Sequence, residues 1–117
     1  MSSVLGFSPS SKFFSTHAYA STKAAVIGLS KSLASYYSKY NIRINVISPG
    51  LIATPMSERA QSNKKIKSYI KQKQSLDGGR IGQVLDLDGA ATYFMSDKSI
   101  FTTGQVLSVD GGWSVNG

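Results

Sequence analysis

One stretch of the chain decides the fold: Ile42-Arg43-Ile44-Asn45-Val46-Ile47-Ser48-Pro49-Gly50. It is rich in β-branched residues and is stopped by a Pro-Gly pair, which predicts a strand over residues 42–48. Helical periodicity lies on both sides of this strand. Alternation of this kind is typical of an α/β protein with a parallel sheet and crossover helices.

Working outward from this strand, three helices are predicted. The strongest runs from about His17 to Tyr40, with one stripe of apolar residues at spacings of three and four that predicts a buried face: Val26, Leu29, Leu33, Tyr36 and Tyr40. The polar, basic stretch 57–74 favours a weaker helix, and residues 83–95 a stronger one. A last strand is predicted over residues 105–109, and residues 1–4 look like the end of another.

Composition excludes several classes of function. The 117 residues make one domain or less, and the chain has no cysteine, which rules out disulfides and thiol catalysis. One histidine, His17, and six scattered carboxylates predict no metal site. The longest apolar run, Ala24 to Leu29, is far short of the ~20 residues that a membrane span needs. With no signal-peptide pattern, a cytoplasmic protein with no membrane partner is expected.

The net charge of +7 is concentrated in one region. Six of the thirteen positive charges lie there with no acid among them: Arg59, Lys64, Lys65, Lys67, Lys71 and Lys73. Such a run is found on nucleic-acid-binding surfaces. Only Tyr69 supplies an aromatic platform, however, so a solvated helix face with no nucleic-acid partner is the favoured interpretation.

Tyr19 and Lys23 are the residues with the clearest chemical potential. Their spacing of four places phenol and ammonium on one face of a helix. A neighbouring positive charge favours the phenolate, which suits a tyrosine for general acid/base work. Tyr69 and Lys73 repeat the spacing without a supporting context. By contrast, Tyr19 follows a serine-rich loop, and the chain continues to a strand end, where ligands of open α/β sheets bind.

Three blocks of sequence resemble motifs of the short-chain dehydrogenase/reductase family and follow one another in the family's order. They are Tyr19-x-x-x-Lys23, the run from Asn41 to Thr54, and Thr103-Gly104-Gln105-Val106-Leu107-Ser108-Val109-Asp110-Gly111-Gly112. Within the family, the chain is most similar to 3-oxoacyl-carrier-protein-reductase-like and sugar-alcohol-dehydrogenase-like members. The resemblance implies a Rossmann-like, doubly wound parallel sheet, of which the C-terminal edge, about three strands with crossover helices, is expected here.

The resemblance also implies roles for individual residues. Tyr19 would exchange a proton with the substrate oxygen while hydride moves to or from the nicotinamide of NAD or NADP. Lys23 would hold the nicotinamide ribose, and Ser3 would hydrogen-bond the carbonyl of a small-molecule alcohol/carbonyl substrate. Pro49, Gly50 and Ile52 would line the nicotinamide, with the Ile52 backbone meeting its carboxamide. Thr54 would reach toward the pyrophosphate. The stretch 57–76 would be a lid over the substrate, and the full-length enzyme a homo-oligomer.

Two departures from the family pattern stand out. Ser3 lies sixteen residues before Tyr19 instead of about thirteen, where Gly6 stands, so an insertion of three is inferred, with Ser2, Ser8 and Ser10 as alternatives. The 117 residues also contain no glycine-rich phosphate-binding turn. The expectation is therefore the C-terminal part of a single Rossmann-type domain without its dinucleotide-binding half. Two other interpretations stay open: an inactive fragment acting only in subunit association, and a nucleic-acid-binding module.

Overall fold

The chain folds into a two-stranded parallel sheet and four α-helices. The structure is a computed structural model that describes residues 1–117. In chain order the elements are α1 (His17–Tyr37), β1 (Val46–Pro49), α2 (Glu58–Ser62), α3 (Lys64–Lys73), α4 (Asp88–Met95) and β2 (Val106–Val109). None of the helices combines the length and the apolar character that a membrane crossing requires.

The sheet pairs β1 with β2 in parallel, from Val46 opposite Val106 to Pro49 opposite Val109. The parallel arrangement confirms the sequence-based expectation, but β1 begins four residues later than predicted. Before Val46, side-chain hydrogen bonds replace part of the ladder, although the Gly104 N–H still donates to Ile44 O at 2.8 Å. The Asn45 amide donates to Thr102 O at 2.9 Å and accepts from the Gln105 N–H at 3.0 Å. These bonds to a loop replace regular pairing.

The predicted third strand at residues 1–4 is wrong. The Ser2 N–H donates one hydrogen bond to Ile47 O, at 2.9 Å, so this segment does lie beside β1. The chain then turns at once, because the Ser3 hydroxyl accepts from the Leu5 N–H at 3.2 Å and caps the 3₁₀ turn Val4–Gly6. A single bond followed by a turn cannot form a ladder.

The core lies between α2, α3, the first turn and the C-terminal segment. It consists of Val4, Ala60, Ile66, Ile70 and Trp113. Ile66 and Ile70 are one helical turn apart, so both face inward from α3. Burying each of these side chains contributes ~1.5–3 kcal/mol, which fixes a helix that its polar sequence alone defines weakly.

The predicted buried stripe of α1 is largely wrong. Leu29, Tyr36 and Tyr40 are 61, 57 and 58% exposed, and Ala34 is the one buried residue of this helix. A helix of 21 residues is about 31 Å long, whereas two strands ~4.8 Å apart make a narrow sheet. The periodicity identified the helix correctly, but most of its apolar face has no cover within the chain.

The region between the strands also differs in detail from the prediction. Residues 83–95, expected as one helix, form the 3₁₀ turn Val84–Leu87 followed by α4. The expected turn at residues 77–79 is confirmed, with Asp77 and Gly79 in the left-handed region.

Candidate active site

Tyr19 and Lys23 lie on the first turns of α1 and are brought together as the sequence predicts. The Lys23 Nζ is 5.5 Å from the centroid of the Tyr19 ring. Tyr19 is 38% exposed, and its hydroxyl makes no hydrogen bond with the rest of the chain. A partly exposed phenol beside an ammonium is therefore available to a ligand.

The N-terminal segment lies against Lys23. The Ser2 hydroxyl donates to Lys23 O at 2.7 Å, and the Lys23 ammonium reaches Met1 O at 3.5 Å. Ser3 follows directly and is only 7% exposed. Its hydroxyl accepts from the Leu5 N–H, which leaves its proton free to donate elsewhere.

The alternatives to Ser3 differ in how their hydroxyls are used. The Ser2 proton is committed to Lys23 O, and Ser10 bonds Lys12 O and the Tyr69 hydroxyl. The Ser8 hydroxyl, like that of Ser3, donates no bond within the chain, although Ser8 O accepts from Trp113 Nε1 at 3.1 Å. A substrate contact by Ser3 stays a prediction, with Ser8 as the remaining competitor.

Gly6 occupies the position thirteen residues before Tyr19, and the structure explains why it has no side chain. A Cβ there would lie 2.9 Å from Ala24 N and 3.0 Å from Lys23 C. The turn Val4–Gly6 packs directly on the backbone of α1, at the residues that carry the candidate site. A serine at position 6 would push this turn off the helix.

At the carboxyl end of β1, Gly50 is required by packing within the chain. Pro49 is buried, and the Gly50 N–H donates to Val109 O at 3.1 Å. A Cβ on Gly50 would lie 2.7 Å from Gln74 Oε1 and 2.9 Å from Asp110 Cα. The sequence interpretation takes this glycine to make room for a ligand. Packing within the chain is by itself sufficient to require a glycine here.

Ile52 presents a free backbone donor. It forms an isolated parallel bridge with Gly82, in which Gly82 N donates to Leu51 O at 3.0 Å and Ala53 N to Gly82 O at 2.8 Å. Since successive residues of an extended chain direct their N–H groups to opposite sides, the Ile52 N–H points away from Gly82. The Ile52 N–H has no hydrogen-bond partner within the chain, whereas Ile52 O accepts from the Ser57 hydroxyl at 2.6 Å.

Thr54 follows at the start of the 3₁₀ turn Pro55–Ser57. Its N–H donates to the Ser57 hydroxyl at 3.1 Å, which holds the turn against the strand end. The four predicted cofactor-lining residues thus form one continuous segment. No hydrogen bond joins this segment to the Tyr19 or Lys23 side chain.

Gln74 is a residue that the sequence interpretation missed. It ends α3 and is 2% exposed, with its side-chain amide bonded to the backbone of Leu51 and Arg80. The sequence did contain a signal for Gln74, because residues 66, 70 and 74 share one face of a helix. The third position of that buried stripe is polar, and a buried amide needs partners.

Comparison with known proteins identifies a family. The family profile that matches residues 4–114 is described as enoyl-(acyl carrier protein) reductase. A 3-oxoacyl-[acyl-carrier-protein] reductase of Chlamydia trachomatis is 43% identical over 94 residues, which are 80% of this chain and 36% of that protein. A gluconate 5-dehydrogenase of Gluconobacter oxydans is 39% identical over 98 residues, 84% of this chain and 38% of the relative. The chain therefore spans just over a third of the length of these two relatives.

Solved structures give the same result for the fold. A 4-hydroxyisoleucine dehydrogenase complexed with NADH superimposes with a TM-score of 0.88 at 40% sequence identity. The superposition covers 99% of this chain and 46% of the dehydrogenase. The small parallel sheet and its helices therefore correspond to part of a Rossmann-type α/β fold.

Proposed function

The chain belongs to the short-chain dehydrogenase/reductase family, and from this premise we propose that it is an NAD(P)-dependent oxidoreductase that interconverts an alcohol and a carbonyl. The observation that carries the proposal is the Tyr19 phenol, partly exposed and free of internal hydrogen bonds, with the Lys23 ammonium 5.5 Å from its ring. A phenol in this state can form a hydrogen bond with a substrate oxygen and exchange its proton there.

The residues present fit one end of a nicotinamide cofactor. The free Ile52 N–H is a suitable donor for a carboxamide oxygen, and the Lys23 ammonium for ribose hydroxyls. Pro49 and Gly50 would complete this wall, and Thr54 would reach toward the pyrophosphate. When bound, the nicotinamide supplies the hydride acceptor or donor.

In the direction of carbonyl reduction, the Tyr19 hydroxyl would give its proton to the substrate oxygen, and in alcohol oxidation it would take that proton back. Lys23 would stabilise the phenolate that remains after the proton has left. Ser3, buried beside the segment that touches Lys23, would donate its unused proton to the substrate oxygen as negative charge develops there.

The lid over a small-molecule substrate would be the stretch 57–76, which contains α2 and α3. Because Ile66 and Ile70 anchor α3 in the core, closure over a substrate would leave the end of α3 in place. Its lysines lie on the exposed side of α3 and would favour substrates that carry a negative charge.

The proposal is tested on the protein as its gene encodes it, called the native protein below, by titrating it with NADH and NADPH and by measuring turnover on a panel of secondary alcohols and their ketones. Micromolar binding of one dinucleotide and turnover that depends on Tyr19 are expected. Failure to bind either dinucleotide would reject the function.

A second candidate function, association with other subunits without catalysis, rests on the uncovered apolar side chains of α1. Leu29 and Tyr36 are among the most exposed large apolar residues of that helix. Surfaces of this kind favour contact with another chain. Cofactor binding without turnover in the native protein, together with an oligomer that dissociates on Leu29→Lys, would favour this candidate over the first.

A further inference from the structure

We propose that Gln74 is a positioning residue for the cofactor, which aims the Ile52 N–H at the nicotinamide by holding the Leu51 backbone. The inference rests on the proposed function, because it assigns a role in seating the same cofactor. It concerns the C-cap residue of α3, which is far from Tyr19 in the sequence and acts through the Leu51 backbone.

The Gln74 amide binds both backbone polar groups of Leu51. Its Oε1 accepts from the Leu51 N–H at 2.5 Å, and its Nε2 donates to Leu51 O at 3.2 Å. The same Nε2 donates to Arg80 O at 3.2 Å, so the acceptor and both donor hydrogens of the amide are used. At 2% exposure, no solvent competes for these bonds.

These bonds determine where the Ile52 N–H points. Leu51 C=O and Ile52 N–H belong to the same peptide unit, which is planar, and the chain contains no cis peptide bonds. In a trans peptide the C=O and the N–H point in opposite directions. Gln74 Nε2 and Gly82 N both bind Leu51 O, so they fix the direction of the free Ile52 N–H on the other side.

The surrounding backbone leaves room for this amide. A Cβ on Gly50 would lie 2.7 Å from Gln74 Oε1, and a Cβ on Gly111 would lie 3.1 Å from Gln74 Cβ. Gly50 directly follows β1, and Gly111 lies just beyond β2. Gln74 therefore joins the end of α3 to the carboxyl ends of both strands, where the ligands of such sheets bind.

A positioning role and a purely structural role predict different effects on two ligands. NADH or NADPH carries the nicotinamide that the Ile52 N–H would contact, whereas ADP-ribose lacks it. Misdirecting this N–H should weaken only the dinucleotide. General loosening of the fold should weaken both ligands and lower the stability of the protein.

The experiment compares Gln74→Met with Gln72→Met in the native protein. Methionine has nearly the length of glutamine but forms none of the three amide hydrogen bonds, and Gln72 is an exposed glutamine on the same helix. Dissociation constants for the better dinucleotide and for ADP-ribose are measured by calorimetry. For Gln74→Met we expect the affinity for the dinucleotide to fall about tenfold. The affinity for ADP-ribose should change little. Gln72→Met should change neither.

Gln74→Glu provides a second test that does not depend on how well the methionine variant folds. The carboxylate keeps an acceptor for the Leu51 N–H but cannot donate to Leu51 O, whereas the protonated acid can. Dinucleotide affinity of this variant should be weak at neutral pH and recover on mild acidification, unlike that of the wild type. Equal losses for both ligands, or no loss in either variant, would overturn the role of Gln74. A wild type that binds neither ligand would instead reject the proposed function.

Discussion

The ammonium of Lys23 lies 5.5 Å from the centre of the Tyr19 ring, one helical turn further along α1. This pair leads to the first prediction, that Tyr19→Phe in the native protein lowers kcat by about 10²–10⁴-fold, the usual contribution of a general acid or base. Cofactor affinity should change little, because the phenol is only one of several contacts. Steady-state kinetics and a dinucleotide titration measure both quantities.

The matched control is Tyr69→Phe. Tyr69 and Lys73 have the same spacing, but the Tyr69 hydroxyl bonds the Ser10 hydroxyl at 2.7 Å, and the Lys73 ammonium donates to Asn116 O. Both groups therefore already have hydrogen-bond partners within the chain. Loss of kcat in this control, with activity preserved in Tyr19→Phe, would mean that the wrong tyrosine had been chosen.

A second prediction concerns the basic face of α3. The ion pairs within the chain all involve Arg80, so Lys64, Lys65 and Lys67 have no carboxylate partner. Reversing these three charges should raise KM for acidic substrates more than for neutral ones, and added salt should reduce the difference. Lys98→Glu, outside α3, is the control. Tight binding of DNA or RNA that weakens steeply with salt would instead indicate a nucleic-acid-binding surface.

A third prediction concerns pH. Hydrogen bonds from the Arg80 side chain, at 2.6 and 3.0 Å, and from the Gln83 N–H lower the pKa of Asp86 from 3.8 to about 2. Since this pKa is depressed in the folded state, the ion pair stabilises the fold above about pH 4 and this contribution is lost as the pH falls through 2.

The carboxyl chemical shift of Asp86, followed by NMR, measures this titration directly. In Arg80→Gln the largest cause is removed, so the midpoint should move up toward 3.8. An unchanged midpoint in that variant would contradict the assignment of the shift to Arg80.

A fourth prediction concerns Arg43, whose side chain crosses to the end of α4. Its guanidinium donates to the Ser99 hydroxyl at 2.7 Å, to Phe94 O at 3.0 Å and to Ser96 O at 3.4 Å. It caps the helix C-terminus, where a positive charge is favourable. Arg43→Met should lower the free energy of unfolding by about 1.5–3 kcal/mol. Urea denaturation is the measurement.

Arg59→Met is the comparison for that measurement. Arg59 is exposed and donates one hydrogen bond, to Phe13 O at 3.0 Å. Arg59→Met should lower the free energy of unfolding clearly less than Arg43→Met does. Equal losses of unfolding free energy in the two variants would show that the contacts of Arg43 with α4 stabilise the fold no more than the single bond of Arg59.

A fifth prediction is that residues 1–117, expressed by themselves, bind neither NADH nor NADPH tightly and turn over no substrate. The groups available, on Lys23, Ile52 and Thr54, would reach only one end of the cofactor, and the sequence contains no glycine-rich phosphate-binding turn. Uncovered side chains such as Leu29 and Tyr36 should also drive self-association. Titration and size-exclusion chromatography test both points, and a soluble monomer with micromolar affinity would contradict them.

Local patterns in the sequence were enough for the features that depend on neighbouring residues. The periodicity predicted a helix from His17 to Tyr40, and the α-helix ends at Tyr37, before a 3₁₀ turn over Ser38–Tyr40. The pairing of Tyr19 with Lys23 follows from helix geometry, because residues four apart share a face. The parallel α/β class follows from the alternation of elements, because a helix between two strands returns the chain to the same end of the sheet.

The tertiary structure alone decided which of these elements are covered and how the strand ends are held. The stripe that includes Leu29 and Tyr36 is periodic but exposed, because burial depends on what packs against a helix and not on the helix itself. Gln74 and Arg43 act on backbone groups 23 and 51 residues away. Sequence periodicity reports the face on which a side chain lies, whereas its hydrogen-bond partners are set by distant segments that meet only when the chain has folded.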